Sequence, residues 1–75
     1  MKPHEKIDLF ELTINGEKQR LAQPLTLAQL LRSRGLAGKR LAVERNGEIV
    51  PKSRHEHERL AAGDRIEIVV AVGGG

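Results

Sequence analysis

Residues 65–72 read Arg-Ile-Glu-Ile-Val-Val-Ala-Val and form the longest and most apolar β-type run in this 75-residue chain. Successive side chains of a strand point to opposite faces of the sheet. One face of this run is entirely aliphatic and carries Ile66, Ile68, Val70 and Val72. The other face is nearly so and carries Glu67, Val69 and Ala71. A strand that is apolar on both faces is usually central. We therefore expect residues 65–72 to lie in the middle of a sheet.

Two Asn-Gly pairs predict two β-hairpins in the rest of the chain. Residues 10–21 alternate in polarity around Asn15-Gly16, and residues 41–50 form a shorter pair of strands around Asn46-Gly47, which Pro51 ends. Asn-Gly accepts the positive φ angles of a type I′ turn, the commonest tight turn between antiparallel strands. Both segments should therefore fold back on themselves.

One helix is predicted between the two hairpins. Thr26 and Gln29 have the spacing of a capping box, and Gly35 suits the position that follows a helix end. Between them, leucines at i, i+3 and i+4 form one apolar stripe that can cover a sheet, namely Leu27, Leu30 and Leu31.

The element order strand, strand, helix, strand, short strand, strand predicts an α+β fold in which one helix packs across a mixed sheet of four to five strands. This is the β-grasp, or ubiquitin-like, arrangement. We expect residues 1–7 to form a flexible extension, residues 8–72 the domain, and residues 73–75 a flexible tail.

Composition excludes several classes of function. The chain has no cysteine and Phe10 is its only aromatic residue, so no disulfide or cysteine-bound metal supports the small core. Sulfur chemistry would need sulfur brought by a partner. No stretch approaches the ~20 apolar residues of a membrane span, and we expect a cytoplasmic protein that does not bind membranes. A net charge of +3 does not establish nucleic-acid binding.

Histidines and basic residues offer two further possibilities. His55 and His57 are two residues apart, but without cysteine they are interpreted as solvated loop residues, and no metal site is expected. The basic side chains around the helix end are interpreted as a solvated face rather than a nucleic-acid site, because no aromatic platform accompanies them; they are Arg32, Arg34, Lys39 and Arg40.

The chain ends in Gly73-Gly74-Gly75, directly after the predicted central strand. Glycine runs also occur as frayed ends and as linkers. Three extended residues reach roughly 10 Å, which lets the terminal carboxylate of Gly75 enter a partner's active site through a slot that only glycine passes. An ionised carboxylate is a poor electrophile. It would need activation as an anhydride with AMP, and the ATP for that step would be used by a partner enzyme.

Apolar residues beside the tail form a candidate docking patch. A single helix covers one face of a sheet, so some apolar surface should remain on the other face. The candidate residues are Phe10, Val69, Ala71 and Val72. They are equally explained as parts of the core.

The sequence resembles the ThiS-type sulfur carriers of bacterial thiamin biosynthesis. The resemblance covers most of the chain and is densest in Ala-Val-Glu-Arg-Asn-Gly-Glu-Ile-Val-Pro-Lys-Ser-Arg-His from Ala42, in Ala-Gly-Asp-Arg-Ile-Glu-Ile-Val, and in Ala-Val-Gly-Gly-Gly. Many members of the family have an aromatic residue near the position of His55, and Val70 often corresponds to a polar residue.

The resemblance implies that the chain is a protein co-substrate and not an enzyme, with no bound cofactor. Gly75 would be adenylated by a ubiquitin-activating-type enzyme, converted to a thiocarboxylate with sulfur from a cysteine desulfurase, and presented to thiazole synthase. We expect the free chain to be a monomer. Three alternatives remain: the small subunit of molybdopterin synthase, a ubiquitin-like protein modifier, and an RNA-binding β-grasp module.

Overall fold

Five strands and one α-helix follow one another in the predicted order in the computed structural model, which describes residues 10–71. The elements are β1 Phe10–Ile14, β2 Glu17–Leu21, α1 Leu27–Ser33, β3 Leu41–Arg45, β4 Glu48–Ile49 and β5 Arg65–Val70. A 3-10 turn at Lys52–Arg54 follows β4. The predicted extension at residues 1–7, the domain limits at 8 and 72 and the tail at 73–75 lie outside the described residues.

The strands form one sheet in the order β2-β1-β5-β3-β4. β1 and β5 are parallel, with Ile14 opposite Ile66, whereas the other neighbours are antiparallel, with Val43 opposite Ile68. The prediction that the last strand is central is confirmed. The sheet is mixed, and the fold is the β-grasp arrangement expected from the element order.

Both predicted hairpins turn at their Asn-Gly pairs. Asn15 and Gly16 have φ angles of 51° and 85°, and Asn46 and Gly47 have φ angles of 53° and 87°. Positive φ at both central residues is the requirement of a type I′ turn, whose twist matches the strands that it joins. The two turns therefore form where the sequence predicted them.

The helix begins at the predicted cap. The Thr26 hydroxyl accepts from the Gln29 backbone N–H at 3.2 Å, and the Gln29 side-chain oxygen accepts from the Thr26 N–H at 2.9 Å. The first two N–H groups of the helix donate to the carbonyls of Glu58 and His55. These bonds satisfy donors that have no partner within a helix. Gly35, with a φ of +73°, follows the helix end as predicted.

The core lies between α1 and one face of the sheet. Leu27 is fully buried, and the other core residues are at most 7% exposed. The cluster consists of Leu12, Ile14, Leu27, Leu30, Leu31, Val43, Val50, Leu60, Ile66 and Ile68. Burying each such aliphatic side chain contributes about 1.5–3 kcal/mol, so the leucine stripe holds the helix on the sheet.

The interpretation of His55 as a solvated loop residue is wrong. The residue is only 8% exposed, and its Nε2 lies 3.1 Å from the carbonyl oxygen of Val50. His57 is exposed. The segment around His55 lies against the start of α1, because the His55 carbonyl accepts from the N–H of Ala28 at 2.9 Å. Within residues 10–71, no helix combines the length and hydrophobicity needed to cross a bilayer.

Candidate functional site

The candidate reactive tail begins beside the centre of the sheet. Ala71 follows β5, is exposed, and donates its N–H to the carbonyl of Arg40 at 2.9 Å. Backbone pairing with the segment before β3 therefore extends one residue past the strand. Val72 and the three terminal glycines, Gly73, Gly74 and Gly75, lie outside the described residues, so their predicted roles stay predictions.

Asn15 holds β5 in place from one side. Its side-chain oxygen accepts from the Ile68 N–H at 2.7 Å, and its side-chain nitrogen donates to the Ile68 carbonyl at 3.3 Å. Its backbone N–H donates to the carbonyl of Ile66 at 2.8 Å. β1 ends at Ile14, so β5 would otherwise lose its parallel neighbour here. The amide side chain substitutes for a strand residue and satisfies backbone groups that burial would leave unpaired.

Asn46 holds the start of the same strand from the other side. Its side-chain oxygen accepts from the Arg65 N–H at 2.8 Å, and its backbone N–H donates to the Arg65 carbonyl at the same distance. Its side-chain nitrogen donates to Asp64 at 3.1 Å. Each hairpin turn thus supplies an asparagine that both adopts a positive φ and binds β5. The strand that leads to the tail is therefore bound from both sides, at Arg65 by Asn46 and at Ile66 and Ile68 by Asn15.

A partly buried ion-pair network lies beside the start of β5. Arg45 donates from Nε to Asp64 and from Nη1 to Glu58, each at 2.9 Å, and Arg54 donates to Glu58 at 3.0 Å. Asp64 is only 6% exposed and also accepts from the Ala61 N–H at 2.8 Å. A buried carboxylate needs such partners, because an unpaired one would be strongly destabilising.

The network shifts the pKa values of its members. The hydrogen bond from Arg45 lowers the pKa of Glu58, and the same bond raises the pKa of Arg45. Burial by itself would raise the pKa of Asp64, but the hydrogen bonds from Ala61, Asn46 and Arg45 together outweigh it and the pKa is lowered. All three groups are therefore held in their charged forms.

These supporting residues were missed by the sequence analysis. Asn15 and Asn46 were interpreted only as turn residues, and no role was predicted for Arg45 or Asp64. Asn15 and Ile68 are 53 positions apart, and Arg45 and Asp64 are 19 apart. The Asn-Gly signal identifies the turn but carries no information about which strand lies beside it.

The structure separates the residues proposed for docking. Phe10 packs against the core on the face that carries Leu12 and Ile14. Val69 lies opposite Ala42 on the other face and is 66% exposed. Because β1 and β5 run parallel with Ile14 beside Ile66, Phe10 and Val69 lie roughly 20 Å apart along the strands. Val69 and Ala71, two residues apart, lie on the same face of the chain, and Phe10 lies on the opposite face.

No cluster of potential metal ligands accompanies these residues in the described part of the chain. Across residues 10–71, no group of three histidine, aspartate or glutamate side chains is placed to hold a metal ion. The ionised side chains of the ion-pair network are paired with one another.

Comparisons with known proteins agree on one family. The family model that matches is that of the ThiS family, over residues 8–75. The chain is 42% identical over 65 residues to the sulfur carrier protein ThiS of Bacillus subtilis, covering 85% of this chain and 98% of that protein. It also resembles the crystal structure of the thiamine biosynthesis protein ThiS from Geobacter metallireducens, with a TM-score of 0.75 and 29% identity over 88% of this chain and 100% of that one.

A longer protein also matches. The thiazole synthase of Paramagnetospirillum magneticum is 43% identical over 66 residues, which are 88% of this chain and 20% of that enzyme. The chain thus spans about a fifth of the length of that relative. The family match covers nearly the whole chain, the described structure has the corresponding β-grasp fold, and the protein belongs to the ThiS family.

Proposed function

We propose that the chain carries sulfur for thiazole formation in thiamin biosynthesis, as a thiocarboxylate at the C-terminal carbonyl of Gly75. One observation carries the proposal: the central strand β5, bound along its two sides by Asn15 and Asn46, leads directly to a Gly-Gly-Gly terminus. Membership of the ThiS family supports it. A rigid support beside a tail without side chains suits the delivery of a carboxylate into another protein's active site.

The chemistry requires two steps at the terminal carboxylate group. A carboxylate oxygen of Gly75 attacks the α-phosphorus of ATP, and pyrophosphate leaves. Hydrosulfide, released from a persulfide by a thiol that is itself oxidised to a disulfide, then adds to the carbonyl carbon and AMP leaves, so that a thiocarboxylate remains. We assign the first step to an adenylating enzyme of the ubiquitin-activating type and the origin of the sulfur to a cysteine desulfurase. The chain is their co-substrate and binds no cofactor of its own.

We propose thiazole synthase as the enzyme that receives the sulfur. The thiazole synthase of P. magneticum contains a segment similar to this chain, and covalent linkage gives a carrier and its enzyme a high effective concentration. The same similarity favours the thiamin pathway over molybdopterin synthesis. We place the reaction in the cytoplasm, where ATP is available.

Intact-mass spectrometry tests the proposal. The purified chain is incubated with the adenylating enzyme, ATP and a sulfur source, and we expect the mass increase that corresponds to replacement of one oxygen by sulfur, located at Gly75 by fragmentation. Two variants serve as controls: one lacks Gly75 and the other carries one alanine after it. Both should unfold like the wild type and resist conversion, because the carboxylate is displaced by roughly one residue length, ~3.5 Å. An unmodified wild-type chain would refute the proposal.

A further inference from the structure

The sheet has an outer face that α1 does not cover, and a defined patch lies on it next to the end of β5. Directly opposed residues of antiparallel strands share a face. The register places Ala42 opposite Val69, Glu44 opposite Glu67, and Glu44 also opposite Ile49. We call these five residues, Ala42, Glu44, Ile49, Glu67 and Val69, the outer patch.

The outer patch is apolar at its edges. Val69 is 66% exposed and Ile49 is 62% exposed, and they are the exposed large hydrophobic side chains among residues 10–71. They lie on β5 and β4, on either side of β3, which separates them by roughly 10 Å. Exposed apolar side chains that occur singly need no explanation, but their concentration on one patch indicates a surface that another molecule covers.

The centre of the outer patch is a pair of like charges. Glu44 is half-buried and lies directly opposite Glu67, and within residues 10–71 neither carboxylate forms an ion pair or a side-chain hydrogen bond. Like charges in directly opposed positions destabilise a sheet. Arg65, two residues before Glu67 on the same face, is paired with neither. The free domain therefore contains an unfavourable pair that an external cation would relieve.

A second pair on the same face shows the usual arrangement. Glu11 on β1 lies opposite Arg20 on β2, and the Arg20 Nε donates to the Glu11 carboxylate at 3.0 Å. Opposed charges are thus complementary at that edge of the sheet. The like-charged pair Glu44–Glu67 is the exception, and it lies beside the exposed Val69 and Ile49. The like charges and the exposed apolar side chains are independent features, and both occur in the outer patch.

The geometry points to one kind of occupant. We propose that the outer patch docks on thiazole synthase and that an arginine of this enzyme lies between Glu44 and Glu67, while apolar side chains of the enzyme cover Val69 and Ile49. A planar guanidinium has enough donors to bind two carboxylates at once. The proposal rests on the proposed function and identifies how the partner recognises the carrier.

The length of the tail agrees with this placement. Gly75 follows Val69 by six residues, which span at most about 20 Å. An enzyme that binds the Gly75 carboxylate must therefore approach the end of β5, where the outer patch lies. We choose the synthase because the P. magneticum enzyme contains a segment similar to this chain.

Binding of purified thiazole synthase to the full chain tests the proposal. Dissociation constants are measured at low and high salt for the wild type, Glu44→Gln, Glu67→Gln, the double variant and the control Glu56→Gln, which removes an exposed charge on the helix side. Each patch substitution should weaken binding about tenfold, as expected for a charge-assisted hydrogen bond. The double variant should lose most of its salt dependence, and the control should bind like the wild type.

The stability of the free variants separates docking from a structural role. Removal of the like-charge pair should leave the denaturation midpoint unchanged or raise it, although binding becomes weaker. Unchanged binding of the double variant, a parallel loss of stability and affinity, or weakened binding to the adenylating enzyme alone would each overturn the proposal. Sulfur loading of the wild-type chain, measured by intact mass, reports separately on the proposed function.

Discussion

Replacement of Asn15 by glycine removes the side chain that binds β5 and keeps the turn. Glycine adopts the φ of 51° found at this position without strain. The substitution therefore deletes the bonds to Ile68 and leaves the type I′ hairpin intact. Any loss of stability then reports on the connection between the first hairpin and the central strand.

The structure sets the size of the effect. The variant loses a 2.7 Å bond to the Ile68 N–H and a weaker 3.3 Å bond to its carbonyl. Each is worth about 0.5–1.5 kcal/mol, and water can replace part of this because Asn15 is exposed. We expect the free energy of unfolding to fall by about 1–2 kcal/mol, which corresponds to a decrease in Tm of roughly 4–16 °C for a domain of this size.

Circular dichroism is the appropriate probe of unfolding, since the chain has no tryptophan or tyrosine. Amide hydrogen exchange at Ile68 gives the local readout, and its protection should fall more than that of residues in β2. Asn15→Asp is the matched control, because it keeps the acceptor for the Ile68 N–H and loses the donor. It should lie between the wild type and Asn15→Gly. Equal midpoints and equal protection of Ile68 in all three proteins would refute the reasoning.

Three further substitutions test the fold and its dependence on pH. The pKa values of Asp64 and Glu58 are lowered in the folded state, so their stabilisation is present above the unfolded value of about 4 and is lost as the pH falls through the folded values. Asp64→Asn should lower the free energy of unfolding by about 1–3 kcal/mol at neutral pH. It should also reduce the fall in stability that the wild type shows as the pH is lowered below about 4. An unchanged fall would contradict this prediction. His55→Phe keeps a ring in the buried position and leaves the Val50 carbonyl without its donor. The free energy of unfolding, measured by urea denaturation, should fall by about 1 kcal/mol. A change near zero would indicate that the ring alone matters. Leu27→Ala should cost about 2–5 kcal/mol in the same assay, and a smaller loss would mean that α1 contributes little to the core.

Short-range signals explain why the elements could be predicted. The capping box joins Thr26 and Gln29, three residues apart, and the hairpins turn at Asn15-Gly16 and Asn46-Gly47. Each signal depends on groups close together in the chain, so no knowledge of the tertiary structure is needed. The apolar character of β5 also predicted its central position, although only one face of the strand is buried and Val69 on the other face is 66% exposed.

The position of His55 shows where such reasoning ends. Histidine in a polar segment between a strand and a turn has the composition of a solvated loop, yet the ring is buried and donates to the Val50 carbonyl. The physical cause is a tertiary one: residues 55–58 supply carbonyls to the first N–H groups of α1, and this docking carries the ring inward. The pattern of polar residues along the chain does not predict that residues 55–58 must pack against the start of α1.

The sequence by itself determined the elements, their order, the turns, the apolar helix face and the glycine terminus, because these depend on local conformational preference and on the periodicity of apolar residues. Only the tertiary structure decided that Asn15 binds Ile68, that Asp64 is buried beside Arg45, and that Glu44 lies opposite Glu67. These pairs arise from strand order and register. Register is set by the packing of the whole sheet on its helix, and no short segment contains that information.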